Sequence, residues 1–261
     1  MIRRPPRSTL SSSSAASDVY KRQPIRGDVD IFSQVADAPI IGVTGSNGKS
    51  TVVAMLREIL KKAGKRFGLG GNLDGAESKP ALDLLQDEAK ELYVLELSSF
   101  QLETTTSLQA EVAVILNLSE DHMDRYEDLT EYHNAKLRVF NGCRQLVINR
   151  AAAYSPPTKD IDVPIWEFGF DRPGENGLGL FENEGEQYLA YQLEKIIAVN
   201  ELKIFGQHNI ANALASIALC REMDISFKTI KEGACKILGA TKKTRLGVRY
   251  DEIFAFIIST L

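Results

Sequence analysis

Seven consecutive residues, Gly45-Ser46-Asn47-Gly48-Lys49-Ser50-Thr51, have the types and spacing to hold a phosphate. Gly45 and Gly48 let backbone N–H groups approach an anion closely. Lys49 is spaced for the outer phosphates and the Ser50 hydroxyl for Mg²⁺. One position departs from the usual G-x-x-x-x-G-K-[ST] pattern, whose first glycine would stand at Val43. Three further residues invite chemistry. Glu96 interrupts an apolar run, where a carboxylate is costly unless it is paired or holds a metal; a structural salt bridge and a Mg²⁺ ligand are both open. His122 sits in Asp121-His122-Met123-Asp124, as a ligand or as a satisfied structural histidine. Lys136 has Tyr132, Val139 and Phe140 as its helical neighbours, an apolar setting that lowers a lysine pKa. A neutral amine there could bind substrate, form a Schiff base or add CO₂ to become a carbamate; a snorkelling lysine is the bland alternative. Asn72, Asn209 and Asn212 could read substrate or adenine edges, or simply cap turns and helices.

These residues need a frame. Ile40, Ile41 and Val43 read as a buried parallel strand, and Val52, Val53, Met55, Leu56, Ile59 and Leu60 recur at helical spacing after the glycine loop. Strand, loop and helix place a helix start, with its positive dipole end, at the phosphate. Residues 28–35 suggest a short helix or turn, residues 65–72 a strand ending in a glycine-rich turn, and residues 81–86 a helical piece. Strands are expected at 92–97, 110–118, 146–148 and 163–168, with helices over 129–140 and from 206 to about 223. Residues 174–193 suggest antiparallel hairpins at the sheet edge. Ser226 is a good N-cap for a last helix ending near Leu238. The alternation predicts an α/β fold: a doubly wound, mostly parallel sheet with a P-loop and a small antiparallel edge sheet, its sites at the strand C-termini.

The apolar and charged fractions, 44% and 25%, are those of an ordinary globular protein, and a net charge of −4 argues against nucleic acid or an anionic membrane as partner. No apolar run approaches the ~18 residues of a membrane span. Cys143, Cys220 and Cys235 are scattered, without metal-ligand spacing, and fit buried thiols in a reducing cytoplasm. Residues 1–23 differ from the rest: Ser11–Ser14 is a homopolymer, prolines break the start, and Arg3, Arg4, Arg7, Lys21 and Arg22 face a single acid, Asp18. They lack the apolar segment of a secretory signal. The string resembles a translated sequencing-adapter leader, with a transit peptide as the alternative, and is expected to be disordered.

In this order the strings Thr44–Thr51, Leu95-Glu96-Leu97-Ser98-Ser99-Phe100-Gln101-Leu102-Glu103, Asp121-His122-Met123-Asp124-Arg125-Tyr126, Ala135-Lys136-Leu137 and Gly206-Gln207-His208-Asn209 resemble the central domain of the Mur ligases. Within that family they are most similar to the D-glutamate-adding branch. The resemblance covers residues 24–240 and implies an ATP-dependent ligase of peptidoglycan synthesis, cytoplasmic and monomeric, that activates a carboxylate as an acyl phosphate. It implies UDP-N-acetylmuramoyl-L-alanine and D-glutamate as substrates, with Lys49, His122 and Lys136 catalytic. Gly45, Ser46, Asn47, Gly48, Lys49, Ser50, Thr51, Asn209 and Asn212 would bind ATP. Two Mg²⁺ ions are implied, one on Ser50 and Glu96, the other on His122 and a carbamylated Lys136. Asn72, Ser98 and His122 would face the substrate. The turn Gly71-Asn72-Leu73-Asp74-Gly75 is longer than the family pattern, residues 241–261 leave it, and the family's flanking domains are not recognisable, so a fragment unable to turn over alone is expected. A folylpolyglutamate synthase-like ligase would read Gly-Lys-Gly-Ser where this chain has Gly48-Lys49-Ser50-Thr51. A nucleotide-binding module without ligase activity is the other alternative.

Overall fold

The structure, a computed structural model, describes residues 26–73, 77–106, 108–121, 123–152, 162–175, 177–202 and 206–235. The leader 1–23, the tail 241–261 and His122 lie outside the described residues.

The chain begins with α1 (Asp28–Val35), β1 (Ile40–Thr44), α2 (Lys49–Lys62) and β2 (Phe67–Gly71). A 3₁₀ turn (Ala81–Gln86) leads to β3 (Leu92–Glu96), α3 (Ser99–Glu103), β4 (Val112–Ile115), α4 (Leu129–Leu137) and β5 (Leu146–Asn149). There follow β6 (Ile165–Phe168), β7 (Gly177–Asn183), β8 (Glu186–Tyr191), β9 (Glu194–Ala198), α5 (Gln207–Arg221) and α6 (Phe227–Ala234). Among the described residues the strands form one nine-stranded sheet in the order β2-β3-β1-β4-β5-β6-β7-β8-β9. Pairing is parallel from β2 to β7 and antiparallel between β7, β8 and β9.

Side chains alternate across a strand, so each central strand feeds two cores. Ile41, Val43, Val94, Val112, Val114 and Val147 pack against α2, α5 and α6 on one face. Ile40, Tyr93, Leu95, Ala113, Ile115 and Ile148 pack with Val29 and Phe32 of α1 on the other. Covering on both faces explains why these strands read as continuous apolar runs. Helix α2 buries the six residues its periodicity predicts and carries Lys61 and Lys62 in its last turn, where cations suit the dipole. Ser226 caps α6, accepting from the Thr229 N–H.

Two expectations change. The strand anticipated over 110–118 pairs only from Val112 to Ile115, because the backbone beyond is drawn into contacts with the phosphate loop. The edge contains a third strand, β9, where residues 194–198 carried no expectation; an irregularity at Leu189/Ala190 breaks the alternation of its partner. Cys143 and Cys220 are buried and Cys235 is half-buried, and none of the three is in a disulfide. No helix of the described residues is long and apolar enough to cross a membrane.

Candidate nucleotide site

Strand β1 lies between β3 and β4, so the chain crosses from one side of β1 to the other after β3. Such a crossing opens a crevice at the strand C-termini. The Thr44 hydroxyl ties the β1 end to the β3 end, donating to Leu97 O at 2.7 Å. The loop that follows is held from the β4 side. Ser46 N–H donates to Asn117 O at 3.0 Å. Ser46 Oγ donates to Ser119 O and accepts from Ser119 N–H, both at 3.0 Å. A hydroxyl has one proton, so Tyr132 is the donor in its 3.1 Å contact with Ser46 Oγ. Gly48 then turns the chain into α2 with φ +86°; a Cβ there would lie 2.5 Å from Asn212 Oδ1. Glycine is required both by that angle and by the approach of α5.

Two lysines converge on one oxygen. Lys49 Nζ donates to Gly45 O at 2.9 Å and to Ser46 O at 3.1 Å. Lys136 Nζ donates to the same Gly45 O at 3.1 Å and lies 4.8 Å from the centre of the Tyr132 ring. Lys136 is 2% exposed, so it does not snorkel. Burial, with the neighbouring Lys49 charge, pushes its pKa down to about 7, while Asp121 opposes the shift. A buried, weakly basic amine beside a second lysine is a candidate functional group. One turn earlier, burial and the Lys136 charge hold the His133 imidazole below its ordinary range, and its buried Nε2 has no hydrogen-bond partner.

Across the crevice, Ser50 Oγ donates to Glu96 Oε1 at 3.4 Å. Glu96 is 3% exposed, at the C-terminal end of an otherwise apolar strand. A hydroxyl and a carboxylate are hard oxygen donors of the kind Mg²⁺ takes, and the ion usually completes its shell with water and phosphate oxygens. The donor set fits that ion. Asn72 stands at the β2 end of the same crevice, its N–H donating to Glu96 O at 2.7 Å.

Other expected site residues fall less directly on the crevice. The Ser98 hydroxyl is engaged in a capping box: it accepts from Gln101 N–H at 3.2 Å while Gln101 Oε1 accepts from Ser98 N–H at 3.1 Å. The spacing Ser98-x-x-Gln101 is a signature that could have identified this cap from sequence. Asn212 is buried against Gly48 and donates to Asn209 Oδ1 at 3.4 Å, which brings the α5 start to the loop. Ser46, Asn47, Lys49, Ser50, Glu96, Lys136 and Asn212 are thus gathered around one loop. Sequence reasoning passed over Tyr132, Ser119 and Asn117, which hold that loop from far along the chain.

The profile of the Mur ligase middle domain matches residues 43–220. The UDP-N-acetylmuramoylalanine–D-glutamate ligase of Pseudomonas savastanoi pv. phaseolicola is 53% identical over 203 residues, covering 78% of this chain and 44% of that protein. The ligase of the same name from Hahella chejuensis is 51% identical over 195 residues, covering 75% and 43%. The chain therefore spans less than half the length of the curated relatives it matches. Among solved structures, a UDP-N-acetylmuramoyl-L-alanyl-D-glutamate–2,6-diaminopimelate ligase superposes with a TM-score of 0.65 at 25% identity, over 80% of this chain and 49% of that one. Escherichia coli FolC shares the fold, with a TM-score of 0.60 at 17% identity over 91% and 69%. The chain belongs to the Mur ligase family, through its middle domain.

Proposed function

We propose that this chain is the ATP-binding part of a ligase that joins D-glutamate to UDP-N-acetylmuramoyl-L-alanine in peptidoglycan synthesis. The observation that carries the reading is the meeting of Lys49 and Lys136 on Gly45 O, facing the Ser50–Glu96 pair across the strand ends. The D-glutamate relatives supply the substrate names.

In this reading the start of α2 receives the phosphates, and Lys49 leaves its carbonyl partners to face the outer phosphoryl group. Ser50 and Glu96 hold one Mg²⁺, which when bound neutralises charge on the transferred phosphoryl oxygens. Lys136, as a free amine, would add CO₂ with release of one proton to give a carbamate, whose oxygen, with His122, would hold a second ion. Asn72 faces the peptide substrate, and Asn209 with Asn212 faces adenine. The substrate carboxylate takes the γ-phosphoryl group of ATP, releasing ADP, and the amine of D-glutamate attacks the resulting acyl phosphate, forming the amide and releasing inorganic phosphate and a proton. Among the described residues no side chain is assigned to D-glutamate, and for this chain alone the reading is nucleotide binding without turnover, as a monomer in the cytoplasm.

Two measurements test it. Calorimetry should show Mg²⁺-dependent ATP binding that Lys49→Ala weakens at least tenfold; equal binding by both forms rejects the phosphate loop. In ¹³C-bicarbonate, NMR should show a carbamate carbonyl signal that Lys136→Ala removes. A signal that survives the substitution, or none in the unaltered chain at about pH 8, rejects the carbamate.

A further inference from the structure

We propose that Asn117 is a positioning residue of the phosphate loop, an amide bracket that fixes which backbone N–H groups an incoming phosphate can use. The inference rests on the nucleotide-site reading and adds to it a residue outside the loop. Asn117 follows β4, and its side chain grips Asn47 on both sides: Oδ1 accepts from Asn47 N–H and Nδ2 donates to Asn47 O, each at 2.9 Å. Its own carbonyl accepts from Ser46 N–H at 3.0 Å. One residue thereby makes three hydrogen bonds to two consecutive loop residues, 70 positions away for the side-chain pair.

The consequence concerns donors. The Ser46 and Asn47 amides are turned toward Asn117 and are not offered to an anion. The amides at the start of α2, at Lys49, Ser50 and Thr51, have no acceptor within their own helix and stay open to it. The phosphate is steered to the helix start beside Ser50 and Glu96, not to the front of the loop. A carboxamide suits this task because it donates and accepts at once; a carboxylate only accepts, and leucine of similar size does neither. Asn117 also shares its segment with Ser119, which holds Ser46 Oγ, so the phosphate loop and the segment after β4 are one unit.

Hydrogen exchange resolved by residue, with ATP–Mg²⁺ titration calorimetry, tests this on the full chain. In Asn117→Leu the Asn47 amide should exchange at least tenfold faster, while the β1 and β4 amides keep their protection, and ATP affinity should fall about tenfold. In Asn117→Asp, which keeps the acceptor and loses the donor, the Asn47 amide should remain slow. Should Asn117→Leu fail to fold, Asn117→Ala carries the same expectations. Unchanged Asn47 exchange in the apolar variants, or ATP affinity within twofold of the unaltered chain, overturns the proposal. If the unaltered chain binds no ATP, the nucleotide reading fails by itself, and Asn47 exchange still decides whether the bracket exists.

Discussion

Lys136 and Lys195 each hold an ammonium 4.8 Å from the centre of a tyrosine ring, the first over Tyr132 and the second over Tyr188. The contact is the same and the surroundings are not. Lys195 stands exposed on β9, in the antiparallel edge, where Tyr188 donates to Glu186 two residues away at 2.5 Å. Lys136 is buried at the strand ends, with a carbonyl and a second lysine for company. A cation–π contact contributes roughly 0.5–2 kcal/mol, too little to offset the burial of an ammonium. Depth, not the aromatic partner, makes one lysine chemically unusual. The contrast extends to the two regions. The edge is built from neighbours in sequence, β7, β8 and β9 joined by tight turns, whereas the strand ends are tied by contacts from 46 to 91 residues apart.

The largest expected effect breaks this comparison at its origin. With a pKa of about 7 against an ordinary 10.5, the native state binds fewer protons than the unfolded chain between those values. Stability from this group therefore rises as pH rises through that window, and the buried ammonium is fully destabilising below it. In CO₂-free buffer Lys136→Met should be more stable than the unaltered chain at about pH 6, with the gap shrinking by on the order of 4 kcal/mol toward pH 10. Lys195→Met should show no comparable pH dependence. Urea denaturation across pH measures both, and a constant gap for Lys136→Met would mean that the site leaves its ammonium undisturbed.

A second pair asks whether backbone crowding also separates the regions. Gly71, at the β2 end, has φ +87°, and a Cβ there would lie 2.2 Å from Glu96 O. Gly185, in the β7–β8 turn, has φ +78° with nothing within 4 Å. The left-handed conformation costs an alanine about 1–2 kcal/mol at either position. Overpacking should add roughly 1–3 kcal/mol at Gly71 alone. Gly71→Ala should therefore lower the melting temperature clearly more than Gly185→Ala does; equal losses would show that the β2–β3 junction yields freely.

What could be read from sequence follows the same division by distance. The phosphate loop, the α2 face, the buried strands and the apolar setting of Lys136 were legible because each is a pattern within a few residues. Glu96 was legible because a carboxylate in an apolar strand violates burial. The bracket of Asn117 on Asn47 and the Tyr132–Ser46–Ser119 chain were not, since 70 to 86 residues separate the partners and no periodicity registers such a pair. The strand β9 escaped for a local reason: its Glu194 and Lys195 are exposed while Ile196, Ile197 and Ala198 are all buried, so it does not alternate.

The smallest effect sharpens the comparison with two hydroxyls. Tyr132 is fully buried, and burial holds its phenol above the ordinary range, so it stays protonated and able to donate. Its partner Ser46 Oγ keeps two bonds to Ser119 without it. Tyr132→Phe therefore removes a donor without stranding Ser46, and should cost about 1 kcal/mol, the net worth of one hydrogen bond. Tyr188→Phe removes a bond to the exposed Glu186 and should change stability by less than about 0.5 kcal/mol. The loss in Tyr132→Phe should also loosen the ring under Lys136, so its melting temperature should drop while that of Tyr188→Phe does not. Indistinguishable melts would mean that Ser119 alone positions Ser46, and that the tyrosine serves the site only as an apolar wall.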